Sequence, residues 1–404
     1  MFEHDQQTLV MPIGGFDLYY HSYTKPMNAH KTPIVIISGP LRGINTYASE
    51  VEQFTKDYPV YLVEIPTFEE ATGEIISRSE SISLLKQFLF NLGIDRSILM
   101  ASSFNSLLIY EYAAEFPEHV ESLLINGITK KLRDSVLYTL EESLHELDSN
   151  NMESFASSVV LNFMNFSQRA KIPQSERIAE GLFEKVYNLN IFEKRMIRAH
   201  ISKMLSLEGI GRSPQCPILF ITGEFDNFMT PFEAHQIARN CPQSTSVIIR
   251  GADHMVGLEK KDIFTRLCRR FLAGQPLNRM KDIDLLETNS FPREKIRMEP
   301  RWLLNDIGFL DTGNGVFVPT NIVDINNFGC RLYTSFEDHR SLNKTDKLLL
   351  HFPDDDLQME IILFKQTDNG HFRGVFQHRN FESTKRFEGF IDKVATTCNS
   401  AYAA

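Results

Sequence analysis

Apolar residues gather into six short, nearly continuous runs in the first two-thirds of the chain. They are Pro33–Ser38 (PIVIIS), Val60–Ile65 (VYLVEI), Ser97–Ala101 (SILMA), Ser122–Asn126 (SLLIN), Pro217–Thr222 (PILFIT) and Ser246–Arg250 (SVIIR). Strands that are apolar on both faces and separated by helix-period segments predict a mostly parallel sheet with helices on both sides. Phe16–Ser22 alternates instead and reads as an antiparallel edge strand. From about 130 to 213 the pattern is helical, carries Phe155, Phe163, Phe166, Phe183 and Phe192, and reads as a helical cap over the edge of the sheet. These phenylalanines suit plain core as well as the wall of a pocket. A helix over Asp262–Leu272 ends at Ala273–Pro276, and residues 276–290 read as a polar linker. From Phe291 the texture changes to short alternating segments. Turn signals fall at Gly315–Pro319, Asn326–Gly329, Asp354–Asp356 and Asp368–Gly370, an all-β pattern. The expected organisation is one domain over 1–275, a small β domain over 291–395 and a tail over 396–404.

Composition narrows the class. The 404 residues exceed what one core normally organises, and 42% hydrophobic with 23% charged residues is ordinary globular chemistry. A formal charge of −10 argues against DNA, RNA or an anionic membrane as a general partner. Five scattered cysteines without a CxxC pair suggest reduced thiols, no zinc site and a cytoplasmic protein. Neither a signal-peptide core nor a membrane-spanning run is visible.

The chemistry begins at Met100-Ala101-Ser102-Ser103-Phe104-Asn105-Ser106, which joins a strand to a helix. A serine on such a sharp turn projects its hydroxyl beyond the sheet, and the helix N-terminus stabilises negative charge developing there. The turn needs small residues two positions either side of the nucleophile. Ala101 and Asn105 meet that need around Ser103, whereas Met100 and Phe104 would flank Ser102. Asp226 and His254 lie just beyond two later strands, in the order nucleophile, acid, base. A lone loop histidine is usually structural, but three residues at three strand ends are what a serine–histidine–aspartate relay requires.

Residues 1 to about 275 therefore resemble an α/β hydrolase. Ile37–Leu41, Val63–Pro66, Ser103-Phe104, Thr222–Thr230 and Gly251–Lys260 carry the likeness. Within that superfamily they most resemble the acyltransferases that join two hydroxyacyl chains into the lipid part of rhamnolipids. The resemblance implies an acyl ester or thioester substrate, no metal or organic cofactor for catalysis, and an oxyanion hole from Phe104 and Leu41. Two positions depart from the family pattern: Asn105 stands where glycine is usual, and Pro40 has no N–H to donate. Either Leu41 supplies the second donor, or the domain is slow, or it has become a binding module.

In the β-rich segment, Arg293-Glu294-Lys295-Ile296-Arg297 precedes Asp324-Ile325-Asn326-Asn327-Phe328-Gly329. Together these resemble the PilZ signature, an arginine pair followed by a (D/N)xSxxG turn, with Asn326 in place of serine. The resemblance implies a PilZ-like barrel binding cyclic di-GMP through Arg293, Arg297, Asp324, Asn326 and Gly329. Guanidinium groups suit both the phosphates and the guanine edges of that ligand. The reading reached is a cyclic di-GMP-responsive serine hydrolase or acyltransferase. The alternative is a non-catalytic receptor whose hydrolase-like domain binds a protein partner or lipid.

Overall fold

The computed structural model describes residues 7–287, 291, 301–313, 315–335, 342, 347–366 and 370–397. The chain divides into two compact units: residues 1–132, 163–178 and 188–296, and residues 133–162, 179–187 and 297–404.

The first unit holds a nine-stranded sheet. Its strands are β1 (Leu9–Ile13), β2 (Phe16–Tyr23), β3 (Ile34–Ser38), β4 (Val60–Glu64), β5 (Ser97–Ser102), β6 (Val120–Asn126), β7 (Ile218–Gly223), β8 (Ser244–Ile249) and β9 (Ile283–Leu286). In space they run β1-β2-β4-β3-β5-β6-β7-β8-β9. The six strands from β4 to β8 are mutually parallel, while β1, β2 and β9 are antiparallel additions. Two expectations need correction here. Phe16–Tyr23 is antiparallel but not an edge, because β1 covers it, and the stretch read as a linker contributes β9 against β8.

All five residues of β3 are buried, as its unbroken apolar run requires. One face of the sheet packs Ile34, Ile36, Met100, Leu219 and Val247 against α1 (Ala48–Phe54) and α10 (Lys261–Leu272). On the other side, β5, β6 and β7 meet α3 (Asn105–Glu115) and α8 (Pro231–Ala238), and α3 packs on α2 (Arg78–Asn91). A Ser77 capping box, with Glu80 closing it, starts α2. The chain passes from β3 to β4 on one side and returns to β5 on the other. The C-terminal ends of β3 and β5 therefore flank the switch point where open α/β sheets form their ligand crevice.

The helical stretch contains α4 (Asp134–Asp148), α5 (Met152–Phe163), α6 (Ser175–Tyr187) and α7 (Ile191–Leu205). It does not stay with the sheet as one cap: residues 133–162 and 179–187 belong to the second unit. There, Glu142 and Glu146 of α4 pair with Arg379, which also binds Glu360.

The second unit is built on a closed antiparallel barrel ordered β10-β11-β12-β15-β14-β13. Its strands are β10 (Trp302–Asp311), β11 (Phe317–Asn326), β12 (Gly329–Tyr333), β13 (Lys347–Phe352), β14 (Leu357–Gln366) and β15 (His371–Gln377). Alternating residues such as Leu310, Val318, Leu332, Leu350 and Ile361 fill the interior. Phe387, Phe390 and Ile391 of α11 (Phe381–Thr397) join that core. Pro319, read as part of a turn, instead lies within β11 opposite Phe309.

Candidate active site and barrel face

Ser103 follows β5 directly and takes φ +59, the left-handed conformation that a sharp strand-to-helix turn demands. Its Oγ lies 3.1 Å from His254 Nε2, and His254 Nδ1 lies 2.9 Å from Asp226 Oδ2. The other carboxylate oxygen of Asp226 accepts from the backbone N–H groups of Phe228 (2.9 Å) and Met229 (2.8 Å), which fixes its orientation. The structure thus brings Ser103, His254 and Asp226 together. Ser102, the rejected alternative, instead accepts from the Asn126 amide at 3.4 Å. Gly223, at the end of β7, is the position where only glycine fits. A Cβ there would sit 2.1 Å from the Asp253 carbonyl, so the acid and histidine loops could not close on each other.

Asn105 does something that a glycine could not. Rather than occupying the strained turn position, it opens α3, and its side-chain amide donates to the Ser38 carbonyl at 2.7 Å. That bond ties the end of β3 to the elbow. The next residues form a tight turn in which Gly39 and Arg42 exchange both backbone hydrogen bonds, at 3.1 and 3.2 Å. Pro40 and Leu41 are its central residues, and proline suits the first of these. Phe104, the other expected oxyanion donor, stands at the N-terminus of α3. Arg42 binds the fully buried Glu50 at 2.5 Å and lies 4.0 Å above the Tyr47 ring, anchoring the turn from behind.

Several contacts around the histidine carried no signal in the one-dimensional pattern. Phe163 stacks on the His254 ring at 5.0 Å, and Phe228 meets it edge-on at 5.1 Å. Asp253 is buried, receives the His254 N–H at 2.8 Å and accepts the Asn165 N–H. Its own N–H donates to Glu259 at 2.6 Å. Burial pushes the Asp253 carboxyl up, and the neighbouring Glu259 and Asp226 add to the shift. Burial likewise raises Glu259. The histidine loop is therefore held by two carboxyls outside the relay. Neither could be found from residue type alone, because their significance lies in burial.

In the barrel, Arg293 and Arg297 lie outside the described residues. Asp324 is buried and paired with Arg301 at 2.5 Å and Arg331 at 3.0 Å. Asn326 is also buried, and its side-chain oxygen accepts from the N–H groups of Phe328 (3.1 Å) and Gly329 (3.0 Å), closing the β11–β12 hairpin. Gly329 is needed for close approach, since a Cβ would fall 2.2 Å from the Gly374 carbonyl on β15. Of the residues expected to contact the nucleotide, Asp324 is thus paired with two arginines and Asn326 with the hairpin backbone. Arg331 lies opposite Arg373 on β15, and its neighbours Cys330 and Leu332 fill the core, so both arginines face outward by alternation.

A family model for the alpha/beta hydrolase fold matches residues 32–261, more than half of the chain. Two proteins named (R)-3-hydroxydecanoyl-ACP:CoA transacylase are similar. The one from Pseudomonas aeruginosa PAO1 is 22% identical over 289 residues, covering 67% of this chain and 93% of its own length. The one from Pseudomonas putida KT2440 is 21% identical over 263 residues, covering 62% and 85%. Among solved structures, MGS-M2, an alpha/beta hydrolase enzyme from a Medee basin deep-sea metagenome library, superimposes with a TM-score of 0.56. It is 18% identical and covers 67% of this chain and 98% of its own. A thermophilic esterase from Thermogutta terrifontis gives 0.54 at 15% identity, covering 66% and 98%. At these identities the likeness to solved structures is one of fold. Among the described residues, no helix is long and apolar enough to cross a membrane.

Proposed function

The chain belongs to the α/β-hydrolase family, and from that premise we propose that its sheet unit is a serine hydrolase or acyltransferase acting on an acyl ester or thioester. The observation that carries the proposal is the unbroken hydrogen-bonded line from Ser103 through His254 to Asp226. With its proton on Nδ1, His254 donates to Asp226, and its free Nε2 takes the Ser103 proton as Oγ attacks the acyl carbonyl. Asp226 stabilises the imidazolium that forms. The Phe104 N–H, at the start of α3, meets the developing oxyanion. Collapse of the adduct expels the alcohol or thiol, which leaves with the proton from His254. Water or an acceptor thiol or hydroxyl then attacks the acyl-serine by the same steps in reverse. The names of the two Pseudomonas relatives support a thioester donor.

A covalent fluorophosphonate probe tests this. Labelling of the intact chain that disappears in Ser103→Ala is the expected result. No labelling of the intact chain would support the alternative, a non-catalytic binding module. Pro40 favours that alternative, since losing one oxyanion donor costs about a hundredfold or more in rate.

For the barrel, the proposed ligand is cyclic di-GMP, with a PilZ-like role in regulating the sheet unit. Two features support this reading: the spacing of the Arg293/Arg297 pair from the Asp324–Gly329 hairpin, and the outward-facing Arg331 and Arg373. Asp324 would then act by holding Arg301 and Arg331 in place for the phosphates. Calorimetric titration should give saturable binding that Arg297→Ala abolishes, together with a change in the rate of acyl transfer. Absence of heat with the intact chain would sink this half of the proposal.

A further inference from the structure

Asp226 and His254 stand on separate loops, one after β7 and one after β8, and a single residue outside the sheet touches the position before each. Asn165 is buried; its backbone N–H donates to the Asp253 carboxylate, and its side-chain amide donates to the Phe225 carbonyl at 3.2 Å. Asp253 immediately precedes His254, and Phe225 immediately precedes Asp226. The other two polar groups of Asn165 are spent as well. Its side-chain oxygen accepts from the Ser167 hydroxyl at 2.8 Å, and its carbonyl accepts from the Gln168 N–H at 3.0 Å. Two residues earlier, at the end of α5, Phe163 stacks on the His254 ring and meets Phe228 edge-on at 4.9 Å. Three consecutive residues thus reach both loops, once through hydrogen bonds and once through rings.

Packing alone does not call for this arrangement. Met164 and Phe166, on either side, are buried and apolar, and an apolar residue at 165 would bring no side-chain polar groups to satisfy. The N–H groups of Asn165 and His254 both favour the ionised form of Asp253, against the upward push of burial, Glu259 and Asp226. That carboxylate therefore joins the Asn165 backbone to the histidine backbone. The loops also meet directly, through the Phe225 N–H and the Ala252 carbonyl at 2.8 Å. Asn165 supplies the second tie, one residue closer to the histidine. The Phe228 and Met229 N–H groups orient Asp226 within its own loop, and do nothing to fix one loop against the other.

We propose that Phe163–Asn165 is a latch across the acid and histidine loops, with Asn165 a positioning residue for His254 and Asp226. The inference rests on the reading of Ser103, His254 and Asp226 as a relay and adds a residue to that same site. A hydrogen-bonded line carried on two loops works only while the loops keep their register, and a displacement of about 1 Å costs about 100-fold in rate.

The test is the kinetics of fluorophosphonate labelling of the full chain. Asn165→Ala should lower the maximal labelling rate about 100-fold, and Phe163→Leu about fivefold. The probe concentration giving half that rate should stay within about twofold, since alignment of the relay acts on the chemical step. The deciding measurement repeats Asn165→Ala in an Asp226→Asn background. A residue that acts by aligning the relay has little left to align there, so the further loss should shrink to about threefold or less. A merely structural residue would cost the same in both backgrounds, and that result overturns the latch. Full-rate labelling of Asn165→Ala overturns it too; where that variant does not fold, full-rate labelling of Phe163→Leu does so instead. An intact chain that takes no label removes the relay reading and the latch with it, whereas a labelled chain indifferent to both substitutions removes the latch alone.

Discussion

Two aspartates, Asp226 in the sheet unit and Asp324 in the barrel, show how differently the two architectures use a buried carboxylate. Both are almost fully buried and both have basic partners. Asp226 sits beyond the C-terminal end of a parallel strand, where the topology delivers every strand end to one edge. It therefore meets His254, 28 residues away, and through it a serine 151 residues from that histidine. Asp324 sits inside an antiparallel strand, where its position names only a face, and the neighbouring arginines decide what it does. In the parallel sheet the end of a strand specifies a location; in the barrel the side-chain partners must also be known.

The sharpest test of that contrast is Asp226→Asn. An amide in place of the acid disfavours the imidazole tautomer whose Nε2 accepts from Ser103, and removes the charge that stabilises the imidazolium. The turnover rate should fall about 10⁴-fold with substrate affinity little changed. Steady-state kinetics with an acyl thioester measures it. A variant that unfolds easily but keeps its rate would mean that Asp226 is a structural ion pair like Asp324, and the contrast would collapse.

The complementary change is Asp324→Asn. It leaves the Arg301 and Arg331 guanidiniums facing each other without their shared counter-charge, at a cost of about 3 kcal/mol to the barrel. The chain has a single tryptophan, Trp302, which lies on β10 opposite Ile325, so urea unfolding followed by its fluorescence reports the barrel alone. A barrel of undiminished stability that no longer binds cyclic di-GMP would make Asp324 a ligand contact and erase the distinction from the other side.

The same contrast explains what could be read from the chain. Near-continuous apolar runs made the parallel strands visible, and the small residues around Ser103 distinguished it from Ser102, because both follow from local sterics. The edge strand β1 was missed since LVMPI alternates weakly, and β9 was missed because IDLL is too short to stand out in a polar stretch. Asn105 was read as a tolerated turn residue; its bond to Ser38, 67 positions away, depends on the packing of β3 beside β5. The assignment of 133–162 to the barrel's unit rests on pairs such as Glu146 with Arg379, 233 residues apart, and no local pattern encodes them.

Lys203 supplies the smallest effect and the opposite sign. Burial lowers its ammonium from 10.5 to about 8, against the raising influence of Glu80 and with a further lowering from Arg78. A lysine held below its ordinary value binds its proton less readily folded than unfolded. It is therefore destabilising at pH 7, and that penalty fades as pH rises from about 8 through 10.5, where the unfolded chain also loses the proton. Lys203→Met, similar in length and uncharged, should raise the stability of the sheet unit by about 2 kcal/mol at pH 7, with the gain shrinking by pH 10. Circular dichroism during urea unfolding at the two pH values checks both the sign and the trend. Removing the paired charge of Asp324 weakens the barrel, whereas removing the under-paired charge of Lys203 strengthens the sheet unit. Destabilisation by Lys203→Met at pH 7 would instead make the lysine a structural residue, as Asp324 is.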